Sequence, residues 1–576
     1  MSLKQWIKAA EVKSEVETTR WINDDIKPIE YSRRTWGPWT FHNYWILINA
    51  NISTYLTGSA LIPLGLNWWQ ALICIILGNL IATLYIVVNS IPGAYYHIGF
   101  PVANRYVWGM YGSQFVIWNR ILLSLGNLVG APTKALLHYS RSFTNSSHRY
   151  GFQAWMGGEC FYIIMMSLDP LLEKHIPNTM AANTGVTTAQ FIAYIMFSLI
   201  SLPFIWIRPH KLEKFMMASG IIVVVFMTVL LIWALATMGP LGFGSTITDT
   251  NALQGESSTV GWLMVYGIIS TIGSIAAGIL NQNDMARFSR KPRDAITGQV
   301  ISFPFYGSIS AIIGILVTAA TQQRFGSALW NLPDIFTTLI ERGGSRERAA
   351  GFFAGLALVV SQIGVNVPGN ALAGGCDLSA TFPRYINIRR GAYLTALFSI
   401  AVNPWKLVST STTFLSVLSS YSVFLGPTIG MMISSYFIVN RSKINVDDLF
   451  VGNSQSTYWF TYGVNWRAII AWIFGVFPSF PGFLASVSPG ITVPVGWTHL
   501  YDLCFVSGSC IAAFVYILLH YIFPAPKLQA FVKNSASPKE LMVKYQDSWD
   551  SHLPSTIVGG ETEEDKVFQA TEIMKY

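Results

Sequence analysis

The feature that most constrains how this chain folds is a succession of twelve apolar segments. Most are close to 20 residues long, the length that a helix needs to cross the hydrocarbon core of a bilayer. Hydrophobic residues make up 52% of the chain and charged residues 11%, so a soluble multidomain protein is excluded. The pattern predicts an all-α polytopic membrane protein with twelve transmembrane helices, the ninth short. The segments lie at residues 42–62, 68–90, 113–168 (interrupted), 188–207, 215–238, 259–281, 298–320, 349–373, 392–402, 410–438, 468–485 and 499–523.

Positive charge is concentrated in the loops on one predicted side of the membrane. The loops at 208–214 and 287–293 carry three or more Lys or Arg residues, whereas those at 63–67 and 239–258 carry none. By the positive-inside rule, this asymmetry predicts that both termini are cytoplasmic. The chain is then divided into a cytoplasmic tail (1–41), a transmembrane domain (42–523) and a second cytoplasmic tail (524–576). We expect a multi-pass protein of the plasma membrane.

The C-terminal tail is polar and ends in an acidic stretch, which predicts a disordered, regulatory segment. Its lysines are either solvated side chains or attachment points for ubiquitin ligase machinery. These lysines are Lys527, Lys533, Lys539 and Lys544.

Several functional classes lack the residues that they need. The five cysteines lie in or beside apolar segments without CxxC spacing, so neither a metal centre nor a disulfide framework is predicted. Phosphate-binding and hydrolase motifs are missing, which argues against an enzyme. The net charge of +8 is distributed over short loops, where it sets topology, so no nucleic-acid partner is expected. We expect no cofactor.

The eighth segment contains the strongest interruption of an apolar run. Within 361–390, a Pro-Gly pair is flanked by Asn366 and Asn370, and Gln362 precedes them. Such a break is tolerated in a bilayer where the backbone is buried in protein or lines a wet cavity. Unwound helix with amide side chains near the midplane is typical of substrate sites in secondary transporters. The alternative for any single Asn is an amide that bonds two helices together.

Two further interruptions occupy corresponding places in the chain. Asn51 and Ser53 interrupt the first segment, and Gly273-Ser274 interrupts the sixth. Since each is the first segment of a group of five, the pair indicates an inverted repeat with its binding site between the two halves. Asn51 and Ser53 are therefore candidate binding residues. Glycine and serine are also ordinary at helix contacts, which is the alternative for the sixth segment.

Three ionisable residues are candidates for coupling or gating. Glu159 lies inside the third segment, and an ionisable group within a membrane span is a proton-relay candidate. Asp284 and Arg287 lie at the inner end of the sixth segment and form a candidate ion pair or gate. The alternative for Arg287 is a plain topology signal.

Long runs of the sequence resemble the nucleobase–cation symporter-1 family, in particular its fungal uracil/uridine/allantoin permease branch. The resemblance extends over roughly residues 30–525. The runs that carry it include RTWGPWTFHNYW at 34–45, NQNDMARFSRKPRDA at 281–295 and YSVFLGPTIGMM at 421–432. It implies a fold like that of the leucine transporter, in which helices 1–5 and 6–10 form inverted repeats and two helices are extra. It also implies import of a nucleobase or related ureide together with a cation.

The resemblance assigns roles to individual positions. The amide that bonds the base falls on Asn370, with Asn366 as the near alternative, and a second amide falls on Gln153. The partner that covers the ring falls near Ile275, which is aliphatic, so a sandwich between two aromatic rings is not expected. A gate residue falls on Phe414.

The resemblance also bears on the coupling ion. In sodium-dependent relatives, hydroxyl groups on the eighth helix complete the cation site. The matching positions here are Gly364 and Val365, which offer no side-chain oxygen. Because Na⁺ and similar hard cations need several oxygen ligands, H⁺ is the expected coupling ion.

The function expected from these features is secondary active import, by alternating access, of a substrate in the uracil, allantoin or uric acid class. The alternative is a transport-inactive receptor or sensor, or a non-functional variant, on the same fold.

The third segment contains an atypical polar insert at 126–149. It carries five basic or histidine side chains, and each charge at the bilayer centre costs at least ~2.5–3.5 kcal/mol. Relatives run continuously through this point, and their stacking Trp falls where Arg149 stands. Either a guanidinium stacks on the substrate while the insert loops out, or the insert is a translated intron. We favour the intron, which would break helix three at the substrate site and leave a chain that folds poorly or transports nothing.

Overall fold

The chain is all-helical in the computed structural model, with two isolated bridges and no sheet among the described residues. The structure describes residues 11–12, 19–116, 145–181, 184–207, 209–239, 242–243, 259–400, 403–487, 490–541 and 543. The α-helices are α1 Pro38–Asn49, α2 Ile52–Ser59, α3 Trp68–Tyr96, α4 Phe100–Trp108, α5 Asn145–Leu168, α6 Leu172–His175, α7 Thr188–Trp206, α8 Pro209–Ala236, α9 Val260–Leu280, α10 Asn283–Ala286, α11 Pro292–Phe325, α12 Leu332–Arg342, α13 Ser345–Asn366, α14 Leu372–Thr381, α15 Ile388–Ser399, α16 Ser411–Ser434, α17 Trp466–Val476, α18 Phe480–Val487, α19 Val495–Asp502, α20 Cys504–Ile522 and α21 Pro526–Asn534. Two π-helical turns, Val367–Ala371 and Ser435–Val439, extend α13 and α16. Short 3₁₀ turns occur at Tyr31–Arg33, Pro404–Val408, Asp447–Phe450 and Phe477–Ser479.

The predicted all-helical membrane architecture is confirmed. Within the described ranges, 9 helices are long and apolar enough to cross a membrane. The predicted first span is divided between α1 and α2, and the predicted ninth corresponds to α15, which has 12 residues. The first part of the predicted third span, from residue 117, lies outside the described residues. The total of twelve therefore stays a prediction.

The helices pack as two groups. In one, α11 packs against α1, α2 and α3, and α9 packs against α3 and α16. In the other, α5 packs along α7 and α13 and also contacts α15. The short helix α12 contacts α2 from the first group and α5 and α13 from the second, so it bridges the groups at one end.

The interruption predicted in the first span is confirmed. Ala50 and Asn51 leave helical geometry, with Asn51 extended at φ −149° and ψ 167°. The side chain of Asn51 then accepts a hydrogen bond from the backbone N–H of Thr54 at 3.0 Å and caps α2. This cap satisfies one of the free N–H groups at a helix start, so the break is stable inside apolar surroundings.

The eighth span is interrupted, but it is not unwound as predicted. One π-helical turn, Val367–Ala371, joins α13 to α14 without leaving the helical region. Pro368 lacks an N–H and its ring crowds the preceding turn, and a wider turn accommodates both effects. Single π turns are frequent at functional sites, so the segment remains a candidate binding site.

The interruption predicted at Gly273-Ser274 is wrong. The sixth span, α9, is a continuous helix from Val260 to Leu280. A Cβ at Gly273 would lie 2.2 Å from the carbonyl oxygen of Leu418 on α16. The glycine therefore permits close helix packing, which is the common role of small residues in membrane helices.

The last residues of the insert that was predicted to break the third span are helical, and the break itself stays a prediction because residues 117–144 lie outside the described residues. Helix α5 runs from Asn145 through Tyr150 to Leu168, so residues 145–149 form its first turn. Polar residues suit this position because the first backbone N–H groups of a helix have no partner within it. Residues 126–144 of the predicted insert lie outside the described residues.

The start of the C-terminal tail is helical and docked, where disorder was predicted. Leu528 of α21 is buried, and Phe531 and Val532 pack against one of the main apolar clusters. The Lys443 ammonium donates to the carbonyl oxygens of Val532 at 3.0 Å and Ser535 at 2.9 Å. A cation at a helix C-terminus satisfies its free carbonyl groups. Residues 544–576 lie outside the described residues.

Candidate functional site

The π turn of the eighth span touches the break in the first span. A Cβ at Gly369, inside the π turn, would lie 3.2 Å from the Cδ1 of Ile48 in the last turn of α1. The two backbone irregularities that the sequence singled out in the first and eighth spans therefore meet in space. Irregular backbone in two contacting membrane helices exposes polar groups toward one place, as binding sites in transporters do.

Asn366 and Asn370 form a hydrogen-bonded pair at this place. The Nδ2 of Asn370 donates to the Oδ1 of Asn366 at 2.9 Å, and the Nδ2 of Asn366 donates to the carbonyl oxygen of Tyr150 at 3.1 Å. Asn366 is fully buried and Asn370 is 8% exposed. Asn366 thus ties α13 to α5 and holds Asn370 in position, so the two amides have different roles.

Gln362 extends this pair along the helix. It precedes Asn366 by four residues, which places both on one face of α13. Gln362 is fully buried, and neither its Oε1 nor its Nε2 has a hydrogen-bond partner among the described residues. The Oε1 of Gln153 on α5, a predicted binding residue, is also buried without such a partner. Because a buried polar atom without a partner costs about 1–3 kcal/mol, these amides are typical of a site rather than of a packed core.

Sequence reasoning assigned no role to Gln362. The spacing of Gln362, Asn366 and Asn370 by four residues each was the signal that could have found it.

Phe414 lies inside an aromatic stack at the start of α16. Its ring stacks on Phe152 of α5 at 5.9 Å, and the ring of Trp330 lies 5.7 Å away on another side. The carbonyl oxygen of Trp330 accepts a hydrogen bond from Ser59 of α2 at 2.6 Å. The predicted gate residue, 3% exposed, is therefore covered by residues of both helix groups. Phe152 and Trp330 were not predicted.

The other predicted binding residues are half-buried or use their polar atoms in local hydrogen bonds. Ile275 is half-buried on α9 and packs against its own neighbouring turn and an apolar cluster. The oxygen of Asn51 is used as the helix cap described above. Ser53 is half-buried, and its carbonyl oxygen accepts from the Thr57 hydroxyl at 3.0 Å.

Asp284 and Arg287 lie close to each other just after the C-terminal end of α9 at Leu280. The Oδ1 of Asp284 accepts from the backbone N–H of Phe100 at 2.8 Å, and the Nε of Arg287 donates to the carbonyl oxygen of Asp284 at 3.2 Å. The carbonyl oxygen of Arg287 accepts from the Nδ1 of His97 at 2.9 Å. Burial, together with the nearby Arg34 guanidinium, lowers the pKa of His97 to about 3, so this ring is uncharged at neutral pH.

An N-terminal segment, residues 19–37, covers this end of the molecule. The carbonyl oxygen of Asp25 accepts from Arg287 at 3.2 Å, while its carboxylate accepts from the backbone N–H of Ile388 at 3.0 Å. The Nδ2 of Asn23 donates to the Ser379 hydroxyl at 3.0 Å. Since Arg287 follows α9 and Ser379 lies on α14, the segment holds the two helix groups together.

Glu159 lies apart from the amides. It is 5% exposed on the face of α5 that meets α7, where its Oε2 accepts from the Nε2 of Gln190 at 3.5 Å. Its Oε1 has no hydrogen-bond partner among the described residues.

The position that would supply a cation-binding hydroxyl is filled from another helix. A Cβ at Gly364 would lie 2.2 Å from the Oγ of Ser219 on α8. That hydroxyl donates to the carbonyl oxygen of Met216 at 2.8 Å. One oxygen is therefore present at Gly364 although the eighth span supplies none, and sequence reasoning along that span alone missed it.

Comparison with known proteins identifies the group to which this arrangement belongs. The model of the permease family for cytosine/purines, uracil, thiamine and allantoin matches residues 28–129 and 148–508. The transporter aclS of Aspergillus oryzae is 33% identical over 545 residues, with 88% of this chain and 87% of that protein covered. The allantoin permease of Saccharomyces cerevisiae is 32% identical over 510 residues, with 88% of this chain and 76% of that protein covered.

A solved structure shows the same fold. It is described as Mhp1, a nucleobase–cation-symport-1 family transporter, in a closed conformation with bromovinylhydantoin bound. The TM-score is 0.66 at 21% identity, over 92% of this chain and 99% of that chain.

The family match stops at residue 129 and resumes at residue 148, inside the insert predicted at 126–149. We expect the mature transcript to lack codons for about residues 126–149 and to carry a Trp codon before that of Tyr150, because the family pattern runs through this point. Sequencing the complementary DNA measures this directly. The intron hypothesis would be wrong if the only transcript kept the insert and its product supported robust uptake.

Proposed function

We propose that this chain, which belongs to the permease family for cytosine/purines, uracil, thiamine and allantoin, imports a nucleobase or related ureide with a proton. It is a secondary transporter embedded in the membrane by multiple helices. The proposed substrates are of the uracil, allantoin or uric acid class, and transport proceeds by alternating access. No enzymatic step is part of the proposal.

The observation that carries the proposal is the amide pair at the π turn. A lactam or ureide ring presents N–H donors and C=O acceptors along its edge, and an amide side chain offers both complementary groups. Asn370 is the residue we assign to this edge, and Asn366 holds it through the bond to its Oδ1. Gln153 and Gln362 are buried near the same helices with polar atoms that lack partners among the described residues. The family's named substrates include rings of this type.

Alternating access needs a closure on each side of such a site. We assign the outer closure to Phe414 with Phe152 and Trp330, since this stack joins α5, α16 and the segment before α12. We assign the inner closure to Asp284 and Arg287 together with the N-terminal segment. We assign the described conformation to a state in which both closures are formed, and opening the inner one requires the contacts of Asp25 with Arg287 and Ile388 to break.

Proton coupling is the expected mode of energisation. The oxygen of Ser219 near Gly364 is one ligand, whereas a hard cation takes about six oxygens. We expect uptake of radiolabelled uracil, allantoin or uric acid into a strain without its own permeases. That uptake should fall when a protonophore is added and stay unchanged when choline replaces sodium. The empty vector is the control.

A strict sodium requirement would overturn proton coupling and leave the transporter assignment intact. Absence of uptake for all three ring classes, in cells where the protein reaches the surface, would overturn the proposed substrate class.

The cellular setting follows from the charge asymmetry of the loops. We assign the protein to the plasma membrane with both termini in the cytoplasm. Lys533 and Lys539 are exposed beyond the last span and are available to ubiquitin ligase machinery. Lys527 is also exposed, and its ammonium donates to the carbonyl oxygen of Ser454. Lys544 lies outside the described residues.

A further inference from the structure

One buried acid is not explained by the amide site or by either gate. Glu159 is 5% exposed, and one of its two carboxyl oxygens has no hydrogen-bond partner in the part of the chain that the structure describes. Its other oxygen has one weak partner, Gln190 of α7 at 3.5 Å. An ionised carboxylate held in this way costs several kcal/mol in a buried position, whereas a protonated one costs much less.

The groups that face Glu159 leave its charge uncompensated. Asp334 lies at the start of α12, which packs against α5, and its negative charge disfavours the ionised form of Glu159. From α7 the facing group is the amide of Gln190, and on α5 itself Tyr162 donates to Glu173 at 3.2 Å. The face of α13 that meets α5 here presents Gly351 and Gly355. None of these residues carries a positive charge.

Asp334 connects this place to the outside. Its side chain is exposed at the surface, and its Oδ1 accepts from Asn331 at 2.9 Å. Asn331 directly follows Trp330 of the outer closure, and α12 packs against both α5 and α13. The helix that bridges the two groups at the outer end, and that packs against α5, therefore carries the carboxylate that interacts electrostatically with Glu159.

We propose that Glu159 is the binding site of the coupling proton and that Asp334 is the carboxylate through which the proton enters from outside. When α12 is away from α5, water reaches Glu159 and its carboxylate is ionised. When α12 closes, a proton passes from external water through Asp334 to the Oε1 of Glu159, forming the neutral acid. Closure of the outer side therefore requires the proton, which is released to the cytoplasm after the inner side opens. This inference rests on the proposed function.

The test uses the full-length protein encoded by the mature transcript, purified into liposomes that contain a pH-sensitive dye. For the wild type, we expect substrate addition to acidify the lumen. In Glu159→Gln, which keeps the shape and removes the titratable group, proton entry per substrate should fall at least ~tenfold. Substrate exchange between two equal pools should persist within about threefold, because the neutral amide mimics the protonated acid. Asp334→Asn should slow proton entry without changing the number of protons carried per substrate.

Glu341→Gln is the matched control, because Glu341 is exposed on the same helix as Asp334, and it should behave as the wild type. Equal proton entry in Glu159→Gln and wild type would overturn the inference while leaving the proposed function standing. Absence of substrate-driven proton entry in the wild type would overturn proton coupling itself. Loss of exchange in Glu159→Gln, with normal detergent stability, would instead give Glu159 a role in substrate binding and also overturn the inference.

Discussion

Asn370→Ala should lower substrate affinity by about 5- to 150-fold while the protein still reaches the cell surface. The expected loss corresponds to about 1–3 kcal/mol, the cost of leaving a buried hydrogen-bonding group of the ligand without its partner. The change also removes the donor to the Oδ1 of Asn366, which is fully buried. The measurement is equilibrium binding of radiolabelled substrate to membranes, with surface abundance followed by a fluorescent fusion.

Asn89→Ala is the matched control. Asn89 of α3 is also a buried amide, and its Nδ2 donates to the carbonyl oxygens of Ile279 at 2.7 Å and Leu280 at 3.2 Å. Its loss should reduce stability and leave affinity unchanged. Unchanged affinity in Asn370→Ala together with a defect in Asn366→Ala would transfer the role to Asn366. Unchanged substrate affinity in both Asn370→Ala and Asn366→Ala would show that neither amide binds the substrate.

Hydrophobic length predicted the helices well, because a bilayer imposes one strong requirement on every spanning segment. With no water to satisfy the backbone, each apolar stretch of suitable length must become a helix. The break at Asn51 was predicted because Asn51 and Ser53 interrupt an apolar run, and the structure shows that the Asn51 side chain caps α2. The spanning helices and the break at Asn51 depend on residues that are close together in the chain, so the sequence alone could predict them.

Tertiary packing decided the features that were predicted wrongly. At Gly273 the sequence pattern is the same for a break and for a close helix contact, and the carbonyl of Leu418 on another helix decides between them. At Pro368 the choice between unwinding and a π turn depends on what surrounds the backbone. Likewise, polarity predicted disorder after residue 524, but Lys443 caps the docked helix α21 from a distant loop.

The candidate site was only partly visible in the sequence. Asn366 and Asn370 were found because they flank a Pro-Gly pair that interrupts an apolar run, and by resemblance. Phe152 and Trp330, which cover Phe414, come from other segments and give no signal of their own as gate residues. Ser219 illustrates the same limit, because its hydroxyl lies beside Gly364 although the sequence comparison considered only the eighth segment as a source of oxygen there.

The crossing of α2 and α11 should be among the least tolerant points of the fold. A Cβ at Gly58 would lie 2.1 Å from the carbonyl oxygen of Ala311, and a Cβ at Gly314 would lie 2.3 Å from that of Tyr55. The two glycines face each other's helices, so the backbones meet where neither side has room for a methyl group. Small residues permit this approach in membranes, where close packing replaces the hydrophobic effect between helices.

Gly58→Ala should therefore destabilise the folded transporter by about 3 kcal/mol or more, because backbone atoms cannot yield as a flexible side chain can. Adjacent Ser59 bonds the carbonyl of Trp330, so a displaced α2 should also loosen the outer closure around Phe414. The measurement is thermal unfolding of the detergent-solubilised protein, followed by size-exclusion fluorescence. Gly220→Ala is the matched control, since its Cβ would meet one side-chain atom at 3.7 Å and alanine favours a helix by up to ~1 kcal/mol. Equal unfolding temperatures for the two variants would show that the crossing of α2 and α11 can accommodate a methyl group, and would contradict the prediction.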